Sequence, residues 1–82
     1  MNRVRVQQAN PTIEEAQYKG YCIKVVAGYN IQGDNYLVHL YISPPAGPEV
    51  RVFEPPRAEN NLDDALSIGF FEAKCEIDQL VP

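Results

Sequence analysis

Alternating apolar and polar residues predict a first β-strand over residues 18–29 (YKGYCIKVVAGY). Aromatic and β-branched side chains dominate this stretch, as is typical of strands. Successive residues of a strand point to opposite faces of a sheet, and the more apolar set is expected to face the core. The core set is Tyr21, Ile23, Val25 and Ala27, and the outer set is Tyr18, Cys22, Lys24 and Val26.

A second strand is predicted over residues 35–43. The connection at 30–34 has hairpin length, and Gly33 is available there for a positive φ. The strand has an apolar core face, and its opposite face is also rich in apolar side chains. The core face carries Tyr36, Val38, Leu40 and Ile42, and the outer face carries Leu37, His39 and Tyr41.

A third, short strand is predicted over residues 49–53, where Val50 and Val52 alternate with Arg51 and Phe53. Five of the seven prolines lie between positions 44 and 56 and bracket this strand. Because proline cannot donate to a strand ladder, we expect the third strand at a sheet edge.

Residues 1–17 show a weaker pattern, in which Val4 and Val6 alternate with Arg3 and Arg5. Pro11 then disfavours helix at the residue before it. This segment is expected to be either a flexible arm or an added edge strand.

A single helix is predicted over residues 62–80. Asn61 is a good N-cap, and Asp64 stands three residues later, as in a capping box. A glycine inside a helix costs about 1 kcal/mol relative to alanine, so Gly69 is expected where the helix approaches the sheet closely. The apolar stripe that would face the sheet is Leu62, Leu66, Gly69, Ala73, Ile77 and Leu80.

The expected fold is therefore α+β: a three-stranded antiparallel meander, or four strands with the N-terminal one, packed on one C-terminal helix. All 82 residues fit one domain. One helix covers one sheet face, and the other face should then be polar. Here the outer face is too apolar for that. Either a strand register differs from the predicted one, or residues 1–17 cover this face, or the face is an interface such as a homodimer.

The helix carries a second apolar patch, in which Ile68, Phe71 and Cys75 recur at helical spacing opposite the main stripe. Scattered surface apolar residues are common. The alternative is a secondary contact patch centred on Phe71.

The two cysteines, Cys22 and Cys75, are expected on opposite sides of the domain as free thiols. Few cysteines, the absence of an apolar leader segment and the absence of a long apolar run favour a cytoplasmic protein without membrane association. Two cysteines and one histidine do not make an ordinary zinc site, so no metal or cofactor is predicted.

The formal net charge of −4 comes mainly from residues 61–82, where one lysine faces five carboxylates. Nucleic-acid binding draws its affinity from cations, so the overall charge disfavours it. Lys24, His39, Tyr41, Arg51 and Phe53 on the outer face would still offer stacking and cationic groups, and a nucleic-acid-binding β-β-β-α module remains the alternative function.

His39 is the only histidine, and a histidine within a strand is usually a packing or hydrogen-bonding residue. A Cys22–His39 dyad on adjacent strands is conceivable, but a flat sheet offers no evident oxyanion hole. The prediction is that the protein is not an enzyme.

The stretches 61–66 (NLDDAL) and 34–38 (DNYLV) resemble the helix opening and second strand of HicB-type antitoxin domains, which are small β-β-β-α units. Residues 18–25 (YKGYCIKV) together with the helix opening are similar to a group of small uncharacterised bacterial domains. The resemblance implies a bacterial β-β-β-α domain and, more distantly, an antitoxin-like regulator.

The leading expectation is a non-enzymatic interaction domain that self-associates or binds a protein partner through its outer sheet face. The expected binding residues are Leu37, His39, Tyr41, Arg51 and Phe53, with Phe71 on the secondary patch.

Overall fold

The computed structural model describes residues 1–52 and 57–81, with the backbone alone at Arg51. An antiparallel sheet packs against one C-terminal helix, which confirms the α+β class. The strands lie in the order β1-β2-β3-β4-β5, and β6 pairs with β4 beside β5, so β5 and β6 share the fifth position. The elements are β1 Val4–Gln7, β2 Thr12–Tyr18, β3 Tyr21–Asn30, β4 Asn35–Ser43, β5 Val50–Arg51, β6 Arg57–Glu59 and α1 Leu62–Leu80.

Helix α1 occupies the predicted residues, and its first turn is capped as expected. Asn61 Oδ1 accepts a hydrogen bond from the backbone N–H of Asp64 at 2.8 Å. The Asn61 side-chain amide also donates to Asp64 Oδ2 at 2.8 Å. The pair therefore satisfies one N-terminal backbone donor and holds the cap side chain in place.

Replacing this cap is expected to weaken the helix measurably. Asn61→Ala removes the side-chain acceptor of the Asp64 N–H, and an N-cap loss of this kind costs about 1 kcal/mol. Urea unfolding followed by circular dichroism measures the change. Asn61→Ser, which keeps a capping oxygen, should lose much less, and an equal loss in the two variants would contradict the capping role.

The core lies between α1 and one face of β3 and β4. Most of the predicted inward residues of both strands and of the α1 stripe are buried there, whereas Tyr21, Tyr36 and Leu62 are half-buried. Leu80, at the last helical position, is 65% exposed, so its expected place in the buried stripe is wrong. The fully buried large side chains are Ile23, Val25, Val38, Leu40, Leu66 and Ile77.

Gly69 lies where α1 is closest to the sheet. A Cβ at this position would stand 2.6 Å from Val25 Cγ1 and 2.9 Å from Val25 Cγ2, closer than carbon atoms approach. The expectation that this glycine permits close packing is confirmed.

A two-residue turn at Lys19 and Gly20 separates β2 from β3, so the predicted strand over 18–29 begins three residues too early. Both turn residues have positive φ, 50° and 83°, as a type I′ hairpin requires. Tyr18 consequently ends β2 on the helix side, where its hydroxyl donates to Asp78 at 2.7 Å. Its predicted place on the outer face is wrong, because the turn shifts it into the preceding strand.

In the β3–β4 connection, the residue with positive φ is Asp34 (49°) rather than Gly33. The Tyr29 hydroxyl donates to Asp34 at 2.6 Å and anchors the turn. A side chain at Gly33 would meet the side-chain amides of Asn30 and Asn35 at about 3 Å, so these two amides would have to shift.

Residues 4–18 extend the sheet sideways as β1 and β2, so neither a flexible arm nor a cover over the outer face describes them. The alternative expectation of an added edge strand is confirmed by β1, and β2 is a further strand that was not expected. The expected three or four strands are therefore fewer than the structure contains. β2 was not predicted, because its helix-side residues include Glu14. A glutamate is normally expected to be exposed to solvent, but this one is buried.

At the other edge, the predicted third strand is shorter than expected. β5 pairs with β4 only at Val50 and Arg51, and the N–H of Val52 donates to Leu40 O at 2.9 Å. β6 had no sequence signal, since its three residues (RAE) contain one small apolar side chain. Phe53 lies outside the described residues.

Candidate functional site: the outer sheet face

Helix α1 covers one face of the sheet, and no element of the described ranges packs on the opposite face, called here the outer face. Strand register aligns a row of residues across all five positions of the sheet, from the β1 edge to β5. The row is Val4, Glu15, Lys24, Tyr41 and Arg51.

An apolar strip runs along the middle of the outer face. Ile13 of β2 lies opposite Val26 of β3, which lies opposite His39 of β4. Leu37 and Tyr41 flank His39 at the neighbouring outward positions of β4. All five are half-buried by their neighbours. The strip, defined as Ile13, Val26, Leu37, His39 and Tyr41, is thus an apolar surface that the described elements leave uncovered.

The positive charge of Lys24 on this face is compensated locally. Lys24 Nζ lies 3.4 Å from Glu49 Oε2 and 4.8 Å from the centre of the Tyr41 ring. Glu15 is its direct cross-strand neighbour. The Lys24 ammonium group therefore lies beside the Glu49 carboxylate and the Tyr41 ring, with Glu15 on the neighbouring strand. These neighbours leave it little capacity to neutralise a phosphate.

A shallow groove of about 730 Å³ lies beside the strip, towards the β1 edge. Val4 and Val6 of β1 line one side of it, and Glu15, Lys24 and Glu49 contribute its charged groups. Both valines are more than half exposed, at 58% and 53%. The groove extends the apolar surface of the outer face to the open edge of the sheet.

The structure brings together three of the predicted binding residues. Leu37, His39 and Tyr41 lie at successive outward positions of β4, and the backbone of Arg51 lies opposite Tyr41. Phe71 is on α1, on the opposite side of the domain, and is 60% exposed. Ile13, Val4 and Val6 belong to the same surface but were missed, because their strands were not assigned a facing from the sequence.

The predicted helix patch is smaller than expected. Ile68 is half-buried and packs against the core, and it also lines the surface hollow that Phe71 borders. Phe71 borders a hollow of about 330 Å³ that Glu59, Asp64 and Ser67 also line. The structure thus brings together Ile68 and Phe71 of the expected patch but not Cys75, and this pair among polar groups is a smaller apolar surface than the outer face.

Both cysteines are free thiols, Cys22 exposed on the outer face and Cys75 half-buried on α1. The hypothetical Cys22–His39 dyad does not form. Cys22 lies opposite Ser43, whereas His39 lies opposite Val26, four residues further along β3. At about 3.3 Å per residue, that offset separates the two positions by roughly 13 Å, beyond proton-transfer distance.

No group of three or more His, Cys, Asp or Glu side chains is placed to hold a metal ion within residues 1–52 and 57–81. In the same part of the chain, no helix combines the length and apolar character needed to cross a bilayer.

A charged cluster on the helix side fixes β1 to the domain. Glu14 accepts hydrogen bonds from Arg3 Nε at 3.0 Å and from Arg5 Nε and Nη2 at 2.9 and 2.7 Å. The Arg3 guanidinium also lies 4.8 Å from the centre of the Phe70 ring. Burial alone would raise the pKa of Glu14, but the hydrogen bonds and charges of Arg5 and Arg3 outweigh it and hold that pKa below its ordinary value.

Models of known protein families do not match the chain, and neither curated proteins nor solved structures match it. The likeness to HicB-type antitoxin domains and to small bacterial β-β-β-α domains therefore stays a prediction from sequence.

Proposed function

We propose that the protein is a non-enzymatic interaction domain whose outer face binds a second copy of the chain. The observation that carries this proposal is the apolar strip of Ile13, Val26, Leu37, His39 and Tyr41, which the described elements leave uncovered. An antiparallel sheet with one solvated face normally alternates apolar and polar residues. Here three of the five strip residues are aliphatic and one is tyrosine, so removing this surface from water is favourable.

The size of the face is sufficient for a dimer. A standard stable interface buries about 800 Å² on each partner. The two longest dimensions of the molecule are 38 and 23 Å, and the sheet spans five strand positions along them. Sheet-on-sheet packing of two such faces, about 10 Å apart, would form a β-sandwich core of a common kind.

The distribution of charge favours this arrangement over contacts through the helix. Residues of α1 carry five carboxylates and one lysine, so contacts between two helices would bring like charges together. Face-to-face packing directs the two helices away from each other. On the outer face itself, the Lys24–Glu49 pair neutralises its own charge within one copy.

Introducing a charge into the strip is expected to abolish self-association. Tyr41→Glu replaces the aromatic ring on which the Lys24 ammonium lies with a carboxylate. Loss of the ring from the strip, together with desolvation of the new charge in an interface, should weaken the dimer at least ~100-fold, or about 3 kcal/mol. Sedimentation velocity across a concentration series from about 1 μM to 1 mM measures the change.

Phe71→Glu is the matched control, since it makes the same kind of change at an exposed aromatic residue on the far side of the domain. Wild-type protein and Phe71→Glu should sediment as dimers at high concentration, and Tyr41→Glu as a folded monomer. A wild-type monomer throughout the range would contradict the proposal. Dissociation by Phe71→Glu alone, or saturable binding of wild-type protein to single-stranded or duplex oligonucleotides at low salt, would contradict it as well.

A further inference from the structure

Strand β1 forms an open edge of the sheet. It pairs with β2 on one side, and the described residues place no strand on its other side. All four of its residues are exposed. An edge strand of this kind presents unpaired backbone N–H and C=O groups, which can add a strand from another chain.

The backbone of β1 is held in place although its residues are exposed. Arg3 and Arg5 both bind Glu14 on the helix side, and Arg3 also lies 3.4 Å from Ser67 Oγ of α1. Because these contacts fix the strand before anything binds, an incoming strand would not have to order it.

The two sides of this edge have different chemistry. Val4 and Val6 line the outer-face groove, whereas Arg3 and Arg5 lie on the helix side. Two guanidinium groups share the single carboxylate of Glu14, and both arginines remain about one-third exposed, at 35% and 33%. The edge therefore offers an apolar surface on one side and one surplus positive charge on the other.

A second copy of β1 fits this edge poorly. Consider two copies of β1 that pair antiparallel about a two-fold axis, with their outer faces on the same side of the joined sheet. In such a pairing, one residue of β1 must lie opposite the same residue of the other copy. The register that sets Val4 against Val6 places Arg5 opposite Arg5, and like charges in that position are destabilising. Registers centred on Val4 or on Val6 place one valine opposite Asn2 or Gln8.

We propose that β1 captures an extended segment of a partner protein in which apolar and acidic residues alternate. Antiparallel addition would place the apolar side chains over Val4 and Val6 and the carboxylates beside Arg3 and Arg5. The short strand and the register shift between Arg5 and Gln7 limit pairing to a few residues, so recognition depends on these side chains as well as on the backbone. This inference goes beyond the proposed dimer, because it uses the edge of the sheet.

The probe is a peptide that carries fluorescein on its N-terminal amine, fluorescein-Gly-Val-Glu-Val-Glu-Val-Gly-amide, with a second, identically labelled peptide in which lysine replaces both glutamates. Fluorescence anisotropy measures binding to wild-type protein and to the Tyr41→Glu variant, and ¹⁵N-HSQC spectra locate it. The acidic peptide should bind saturably to both proteins, shift the amide signals of residues 3–7, and bind at least ~10-fold more tightly than the lysine peptide. Binding to Tyr41→Glu separates this inference from the proposed dimer.

Val6→Lys should weaken binding of the acidic peptide at least ~10-fold, because it replaces an apolar contact at the edge. Val50→Lys is the matched control, as this valine is similarly exposed (55%) on the opposite edge of the sheet. Equal binding of the two peptides, shifts centred on β5, or no saturation below about 1 mM would overturn the proposal. So would a dimer of wild-type protein that Val6→Lys dissociates without any peptide binding, since the occupant would then be a second copy.

Discussion

Replacing Gly69 with alanine is expected to destabilise the protein by about 2 kcal/mol. Alanine gains about 1 kcal/mol over glycine within a helix, so a propensity argument alone predicts a more stable variant. The added Cβ would stand 2.6 Å from Val25 Cγ1 and 3.3 Å from Val25 Cβ. Val25 is fully buried and its β-branched side chain has little rotamer freedom, so the helix must move away from the sheet, and overpacking of this kind costs about 1–3 kcal/mol.

Urea unfolding of Gly69→Ala and of two companion variants tests this explanation. Gly28→Ala is the matched control, since its Cβ would meet Pro11 Cβ at an ordinary 3.7 Å, and its stability should change little. In the double variant Gly69→Ala and Val25→Ala, the smaller side chain at position 25 makes room for the new Cβ. Its loss of unfolding free energy should therefore be about 1 kcal/mol smaller than the sum of the two single losses. Additive effects in the double variant, or a stabilised Gly69→Ala, would show that α1 does not approach β3 as closely as described.

Glu14→Gln is expected to destabilise the protein by about 2–3 kcal/mol. Removing one partner of a buried ion pair costs about 3–5 kcal/mol, and the partial exposure of Arg3 and Arg5 reduces that cost. The loss of stability should be concentrated in β1 and β2, because the Glu14 side chain of β2 accepts hydrogen bonds from both Arg3 and Arg5. Hydrogen exchange of the amides in residues 4–7 should accelerate more than exchange in β3.

The same carboxylate gives the stability of the protein a dependence on pH. The folded-state pKa of Glu14 lies below its ordinary value of 4.5, so the unfolded chain binds its proton more readily than the folded one. The stabilisation is therefore fully present above pH 4.5 and is lost as the pH falls through the folded pKa.

Wild-type protein should therefore lose more stability than Glu14→Gln when urea unfolding is repeated at decreasing pH, from about pH 6 to about pH 3, because the unfolded chain takes up the Glu14 proton before the folded one. Glu15→Gln serves as the control, because Glu15 is the adjacent, exposed carboxylate on the outer face. The stability of Glu15→Gln at about pH 6 should stay close to that of wild-type protein, since Glu15 is exposed. Parallel pH profiles for wild-type protein and Glu14→Gln would contradict the role assigned to this ion pair.

Regular periodicity made α1, β3 and β4 predictable from sequence. The stripe from Leu66 to Ile77 and the alternation in β3 and β4 each repeat over several turns or residue pairs, so both the elements and their buried faces follow from the pattern. Gly69 was informative because glycine is unfavourable within a helix. Its presence there indicates that close packing, and not helix propensity, determines the residue at this position.

The N-terminal strands were not predictable in the same way. β2 buries Glu14 in ion pairs with Arg3 and Arg5. Because this residue is buried by partners elsewhere in the chain, the sequence of β2 lacks the apolar alternation that would predict a strand. The turn at Lys19–Gly20 was missed because a positive φ at lysine is uncommon, so its sequence does not resemble the usual asparagine–glycine hairpin.

The candidate site was predictable where it rests on β4, because the outward residues Leu37, His39 and Tyr41 follow from the same alternation that defines the core. Ile13 and the valines of β1 join that surface only through the register of β1 and β2. The separation of Cys22 from His39 likewise depends on the β3–β4 register, which the composition of the strands does not specify.

The most direct test of the proposed function is an isotope-filtered NOE experiment on a mixture of ¹³C,¹⁵N-labelled and unlabelled protein at about 1 mM. It detects only contacts between copies, so it identifies the residues that form the interface. The proposal predicts intermolecular NOEs at Val26, Leu37 and Tyr41 of the outer face and none at Phe71. An absence of intermolecular NOEs, or NOEs confined to α1, would contradict it.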